Sequence, residues 1–439
     1  MTAPTLLKDS ETNWISKVPQ DWLVLSIKRL SRVRRGSSPR PIDAPEYFDD
    51  TGEYAWVRIS DVTASEGRLT STTQKLSELG ASYSVKLNPG DLFLSIAGSV
   101  GKPCITEIKC CIHDGFVYFP GYKGDKKFLF YIFESGEAYG GLGKLGTQLN
   151  LNTDTVGWIQ IPYPTVEVQK SIANFLDRKT AAISTLIAKK QRLIQLLEEK
   201  RTALINQAVT KGLTPNTPMK DSGIPWIGEI PEHWEVRRLK FALQQLVDCK
   251  NRTPEYVDDG KYAVVRTTNI RQGKFLSENL LRTNRANYEK WTQRAIPQSG
   301  HIIFTREAPA GEACKVPELP KVCLGQRTML FIPNQRCLTS NFLLLSIYGG
   351  AVDGFVKSAS SGSTVSHLRV EQVGDLPIFV PPLLEQKSIS EEINFQLERQ
   401  DNLVAITQLS IEKLREYRRS LITAAVTGKL DISEVDSNV

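Results

Sequence analysis

The chain has 439 residues, enough for two or three domains at roughly 150 residues each, and 41% of them are hydrophobic, 23% charged and 8% aromatic. That balance excludes collagen-like, low-complexity and acidic disordered classes. Fifty-five Lys plus Arg against forty-eight Asp plus Glu leave a net charge of +7, a mild surplus that suits a polyanionic partner without demanding one.

The first thirty residues place Lys8, Asp9, Glu11, Lys17 and Asp21 among short apolar pieces, the wrong texture for a secretory leader. No run approaches the roughly 18 apolar residues of a membrane span. Next comes Trp14-Ile15-Ser16-Lys17-Val18-Pro19-Gln20-Asp21-Trp22, and then, over residues 20–160, short apolar runs such as 91–96 punctuated by glycine and proline. This pattern predicts many short strands with a few helices, one of them over 126–134. Residues 165–214 contain no proline and one glycine, Gly212, and predict a long helix. Leu176, Ile183, Lys190, Leu197 and Leu204 recur at intervals of seven, with Ile172, Lys179, Leu186, Leu193 and Lys200 as a companion column, a coiled-coil-like stripe with polar interruptions. Residues 212–218, rich in Gly, Thr and Pro, read as a linker.

The chain then repeats itself. Trp226-Ile227-Gly228-Glu229-Ile230-Pro231-Glu232-His233-Trp234 restates the opening motif at an offset of 212, and Tyr262-Ala263-Val264-Val265-Arg266 answers Tyr54-Ala55-Trp56-Val57-Arg58 at 208. A second strand-rich stretch, with a helix expected over 340–348, precedes residues 383–439, which again lack proline and carry one glycine, Gly428. Gln169-Lys170-Ser171-Ile172 recurs as Gln386-Lys387-Ser388-Ile389, an offset of 217, which carries Leu186, Ile187, Ile194, Leu197 and Leu204 onto Leu403, Val404, Ile411, Leu414 and Leu421. We expect these ten residues to form a mutual seam between two antiparallel long helices. A unit this long is no solenoid module. The fold class that follows is α+β, a tandem duplication of an α/β domain plus a long helix, with pseudo-two-fold symmetry. Its expected segments are 1–164, 165–212, 213–380 and 381–439.

Catalytic motifs are not found. Gly101-Lys102 is followed by Pro103 and has Ile96 where a P-loop begins with glycine. Gly141-Leu142-Gly143 is a lone glycine pair, and no Asn-Pro-Pro-aromatic run of an adenine methylase occurs. Gly90-Asp91 with Glu107-Ile108-Lys109 could be a magnesium nuclease set, but the repeat places His301 opposite Asp91. The four histidines, His113, His233, His301 and His367, share no ligand spacing, and the seven cysteines include no CxxC. No metal or cofactor is expected on this chain, and the free cysteines suit a reducing cytoplasm.

What remains is polar loop chemistry. Arg34, Arg35, Ser37 and Arg40 lie in a basic stretch of the first repeat, and Lys250 and Arg252 in a related place of the second. Arg58, Ser60 and Lys102 answer to Arg266, Thr268, Asn269, Arg306 and Lys315, and Gln148, Asn150, Ser363 and Thr364 lie in two further loops. Arg suits phosphate and guanine, and Asn or Gln suits adenine; the alternative is that each is a solvated loop residue.

The paired Trp-Ile-x-x-x-Pro-x-x-Trp openings carry a resemblance, together with the proline entries at Ile161-Pro162-Tyr163-Pro164 and Phe379-Val380-Pro381-Pro382 and the helix ends Ala208-Val209-Thr210 and Ala425-Val426-Thr427. The chain resembles the specificity subunits of type I restriction-modification systems. That resemblance implies two target-recognition domains, each reading one half of a bipartite site in double-stranded DNA, with the helices as spacer. It also implies two methylation subunits and restriction subunits as partners, to which S-adenosylmethionine, ATP and Mg2+ would belong, and a non-catalytic role here. A self-contained DNA nuclease or methylase and a protein scaffold that never reads DNA are the alternatives.

Overall fold

The computed structural model describes residues 6–142, 151–250, 252–359, 367–430 and 432. The chain divides into two compact units, residues 1–190 with 408–439 and residues 191–407. Each unit contains one strand-rich body and one half of each long helix.

In the first unit the body opens and closes on one antiparallel ribbon, Leu23–Ser26 against Gln160–Tyr163. Between them a five-stranded sheet runs in the order Arg34–Arg35, Phe116–Tyr118, Leu92–Ser95, Pro103–Thr106, Arg68–Leu69. A four-stranded sheet runs Gln74–Leu76, Tyr54–Val57, Cys110–Ile112, Val85–Leu87. Strand Leu92–Ser95 is buried throughout because both faces are covered. Phe93 joins Val57, Cys104 and Ile112 between the sheets. Leu92 and Leu94 instead meet Phe128, Leu129 and Ile132 of helix Lys126–Glu134, whose Asp125 caps it by accepting from the Phe128 N–H at 2.9 Å. An unbroken apolar run is what such a strand requires.

The second unit repeats the plan. Its ribbon is Glu235–Arg238 against Pro377–Val380. One sheet runs Leu243–Asp248, Thr328–Pro333, Ile302–Thr305, Ala313–Lys315, and the other Leu281–Thr283, Tyr262–Val265, Val322–Leu324. Ile303 faces between the sheets, while Ile302 and Phe304 pack with Phe342 and Leu343 of helix Ser340–Ile347.

The two long helices are Val166–Lys211 and Leu383–Val426. In the first unit, Ile172, Leu176 and Ile183 of the first helix share a core with Leu421, Ile422, Ala425 and Val426 of the second. In the second unit, Ile205, Ala208 and Val209 share a core with Ile389, Ile393 and Leu397. The beginning of one helix thus meets the end of the other in both units, an antiparallel pairing. The opening motifs seal these ends. At Gly428 (φ +71°) a Cβ would stand 2.5 Å from Pro19 and 3.1 Å from Trp22, and at Gly212 (φ +74°) it would stand 3.3 Å from Trp234. Each repeat's second tryptophan therefore covers the end of the other repeat's helix.

Along the middle of the helices the covered positions are Ile187, Lys190, Ile194, Leu197 and Arg201, and, 217 residues on, Val404, Thr407, Ile411, Leu414 and Arg418. The steps alternate three and four, a coiled-coil register. Leu204 and Leu421 continue it. Leu186 and Leu403 do not belong to the seam, being 43% and 53% exposed. The heptad's companion column runs four residues after each member of the first, through Ile187 and Val404, so the adjacent leucines point outward.

Ion pairs tie each body to its helices. Arg418 reaches Glu134 at 2.8 Å in the first unit. In the second, Asp401 holds Arg201 at 2.9 Å and Lys274 at 2.6 Å. Asp177 takes Arg68 at 2.8 Å, Lys127 at 2.7 Å and the Tyr131 hydroxyl at 2.7 Å. Burial opposes the Asp177 charge, but hydrogen bonds from Lys127 and Tyr131 and the charge of Arg68 outweigh it and lower its pKa.

Two predictions follow from this packing. Ile411→Ala, at 5% exposure, is expected to cost about 2–4 kcal/mol in chemical denaturation, and Leu403→Ala less than about 0.5 kcal/mol. Because the folded Asp177 pKa is depressed, its contribution is present above the unfolded carboxyl value and lost as pH falls through the folded one. Asp177→Asn should therefore lower stability at neutral pH and flatten the loss of stability in acid, as read from melting curves between about pH 3 and pH 7.

Candidate nucleic-acid interface

The polar candidates gather where strands end and turns begin. In the first unit the strand Tyr54–Val57 runs into helix Ile59–Ala64, with Arg58 between them. The Arg58 N–H donates to Asp61 Oδ2 at 2.8 Å, which fixes the backbone and leaves the Arg58 side chain exposed. Beside it stands the turn at His113 and Asp114, linking strands Cys110–Ile112 and Phe116–Tyr118. Asp114 collects the stretch after Arg34–Arg35: Arg40 at 3.5 Å, the Ser38 hydroxyl at 3.1 Å and Arg35 at 4.0 Å. Ser37 donates to the Tyr83 carbonyl at 2.8 Å. The hairpin loop after Leu92–Ser95 completes the edge, with Ser99 3.4 Å from Thr63 and the Ile96 N–H on the Gly115 carbonyl at 2.8 Å.

His113 is a structural member of this edge. Its Nδ1 accepts from the Gly115 N–H at 2.9 Å and its ring packs 4.6 Å from Phe116. Burial depresses its pKa, with Asp114 pulling the other way and Arg58 adding to the depression. Nδ1 is thus an acceptor and Nε2 the position for the proton.

The second unit builds the same edge from other side chains. The Arg266 N–H donates to Asn269 Oδ1 at 3.1 Å, as Arg58 does to Asp61. The Arg266 guanidinium donates to the Asn279 carbonyl at 3.1 Å. In the turn before Thr328–Pro333, Arg327 pairs with Glu307 at 3.3 Å, and Glu307 also meets His367 at 3.1 Å and Arg306 at 3.8 Å. Arg306 faces Asp248 at 3.5 Å without forming a hydrogen bond. In the first unit the turn is acidic and the loops around it basic; in the second the turn is basic and its loop partner acidic.

The structure therefore brings together Arg35, Arg40, Arg58 and Ser60 in the first body, and Arg266, Thr268, Arg306 and the start of the Lys250–Arg252 stretch in the second. Arg34 adjoins them on its strand, where neighbouring side chains alternate, and Lys102 lies at the far side of the hairpin loop. Three expectations need correction. Asn269 is 1% exposed, with its amide donating to the carbonyls of Leu276 and Glu278 at 3.3 Å, so it holds the loop and presents nothing outward. Arg306 has a side chain only 13% exposed, against two carboxylates. Lys315 lines a cleft of about 780 Å³ beside Arg201 and Asp401 on the helix side, and burial lowers its pKa. Gln148, Asn150, Ser363 and Thr364 lie outside the described residues.

Sequence reading missed Asp114, Glu307 and Arg327, whose partners are set by turns and cannot be paired by spacing. It also missed Lys290, Trp291 and Arg294, although the Lys-Trp-Thr-Gln-Arg run is itself a signal of interleaved cation and aromatic. Asp91, the carboxylate of the nuclease motif, is taken by Lys126 at 2.7 Å, and among the described residues no group of three potential metal ligands assembles. Among the described residues, too, no helix is long and apolar enough to cross a membrane. We predict that Asp61→Ala and Asn269→Ala each destabilise by about 1–2 kcal/mol, measured by denaturant titration, while Thr268→Ala is neutral.

Comparison with known proteins places these observations. The family model described as type I restriction modification DNA specificity domain matches twice, over residues 19–196 and 231–415. The MjaVIII type I restriction enzyme specificity subunit of Methanocaldococcus jannaschii is 24% identical over 96% of this chain and 95% of its own length. The EcoKI specificity subunit of Escherichia coli is 23% identical over 46% of this chain and 44% of its own. Among solved structures, a chain from work on complex assembly and conformational transition of the type I R-M system aligns with a TM-score of 0.72 at 14% identity. It covers 94% of this chain and 99% of the other. The HsdS subunit of Thermoanaerobacter tengcongensis gives 0.51, also at 14% identity, over 94% and 98%; both likenesses concern the fold.

Proposed function

This chain belongs to the type I restriction-modification DNA specificity family, and from that premise we propose that it is the non-catalytic subunit that selects a bipartite site in double-stranded DNA. The observation that carries the reading is the repeated strand-end edge: one framework, built twice, with Arg58 and Arg266 on the same cap and different polar groups around them. Base edges are distinguished by their donors and acceptors, so two edges with reversed turn charges suit two different half-sites.

The long helices serve as the spacer between the halves. Each also leaves apolar side chains exposed, among them Leu193, Leu196, Ile406 and Leu409, and such rows on charged helices suit protein docking. The partners that fit are two methylation subunits, one for each repeat, with restriction subunits joining them. S-adenosylmethionine, ATP and Mg2+ would be used by those partners in the cytoplasm.

Methylation mapping tests this reading. Cells expressing the chain with its methylation subunit should gain a new asymmetric two-part adenine motif that the partner alone does not produce, and exchanging residues 20–160 should change one half of it only. Modification already present without this chain would reject the reading in favour of a scaffold. Inserting one helical turn into both long helices should change the unread spacer and leave both half-sites intact; an unchanged spacer would refute the spacer role.

A further inference from the structure

The two bodies share a fold but not a charge. From first to last ribbon strand, residues 23–163 hold sixteen Lys plus Arg against fifteen Asp plus Glu, a net of +1, whereas residues 235–380 hold twenty against thirteen, a net of +7. Part of this surplus converges on one side chain. Lys250 Nζ and Lys290 Nζ lie 5.5 Å and 5.6 Å from the centroid of the Trp291 ring. The Trp291 indole N–H donates to the Arg252 carbonyl at 3.2 Å, and Arg294 donates to the Asp248 carbonyl at 3.2 Å. Lys250 donates to Gln293 Oε1 at 3.3 Å. Among the described residues no carboxylate pairs with Lys250, Arg252, Lys290 or Arg294; the nearby Arg285, by contrast, is spent on Glu289.

Among the described residues the first unit has no such cluster at the equivalent place. Its helix Glu78–Ser82 is capped by Ser77, 207 residues before Asn284, the cap of helix Arg285–Trp291, so Tyr83 stands where the second repeat has Lys290. Ser37 contributes a hydroxyl, bound to the Tyr83 carbonyl, and the nearby Arg35 and Arg40 are drawn to Asp114.

We propose that Lys250, Arg252, Lys290 and Arg294 around Trp291 form a phosphate-contact site for the DNA backbone, present in the second repeat only. This rests on the DNA-specificity reading and adds a division of labour to it. Cations without carboxylate partners are available to phosphates, and each phosphate neutralised releases condensed counterion, steepening the salt dependence by about 0.9 in the log–log slope. The second body then supplies most of the sequence-independent hold, and the first engages its half-site with fewer phosphates.

The test uses the complex with its methylation subunits and two labelled duplexes, one carrying the mapped motif and one scrambled, titrated by fluorescence anisotropy across salt. Replacing Lys250, Arg252, Lys290 and Arg294 together by Ser should lower the slope by about 2–4 and weaken both duplexes by the same factor, on the order of tenfold or more at moderate salt. The methylated motif should stay the same. Tyr83→Lys in the otherwise native chain, at an exposed position, should raise the slope by about 1, a gain that a misfolded protein cannot give. An unchanged slope in both variants, or a changed second half-site at constant slope, would overturn the phosphate assignment while leaving the specificity reading intact. A native complex that holds both duplexes equally would instead remove the specificity reading, and the proposal with it.

Discussion

Neither strand-rich body completes its core with its own repeat. The first core takes Leu421, Ile422, Ala425 and Val426 from the far end of the chain, and the second takes Ile205, Ala208 and Val209 from the helix that starts in the first. Five of these seven are at most 2% exposed, and none exceeds 9%. Burying such side chains is worth roughly 25 cal/mol per Å² of apolar surface, so pairing the two helices is part of folding each body. The glycine ends at Gly212 and Gly428, closed by Trp234 and Trp22, show the exchange made twice with equivalent parts.

This constraint explains why the repeat is legible in some places and blurred in others. A seam residue must fit its own body, the partner helix and the heptad at once, which keeps the 217-residue offset through Ile194 and Ile411 or Leu197 and Leu414. Polar edges answer to no such demand. The backbone there is held by one internal bond from a cap N–H to a buried Asp61 or Asn269, and once that bond is made the surrounding side chains are free to differ. A single scaffold can thus carry an acidic turn in one body and a basic turn in the other without repacking its core.

The α+β class was legible because residues 92–94 and 302–304 are apolar without alternation, as strands covered on both faces must be. The helices were legible from the absence of proline and the seven-residue period. The seam was misplaced by one position because Leu186-Ile187 and Leu403-Val404 are adjacent apolar pairs, and only the covered Arg201 and Arg418 show which column the helix buries. A charged side chain in a seam, here tied to Asp401 or Glu134, is invisible to a reading that scores apolar residues alone. The sequence does not show that Asn269 turns inward, since an amide in a polar loop looks alike whether it faces a base or a backbone carbonyl. The repeated Arg-x-x-Asp and Arg-x-x-Asn spacing was the available clue, because a polar group three residues after a cap is where an N–H acceptor belongs.

Net charge is informative only when it is divided between the bodies. The total of +7 conceals how unevenly the charge is divided, since residues 23–163 carry +1 and residues 235–380 carry +7. At physiological ionic strength a surface charge is screened over about 8 Å, so a duplex lying on one body responds to that body's groups and hardly to the sum. A cation already held by a carboxylate counts for less still, which is why the arginines around Asp114 and Glu307 serve the shape of the edge more than its attraction. What attracts is the unpaired set around Trp291, and its position beside a variable edge lets affinity and readout be altered separately on one fold.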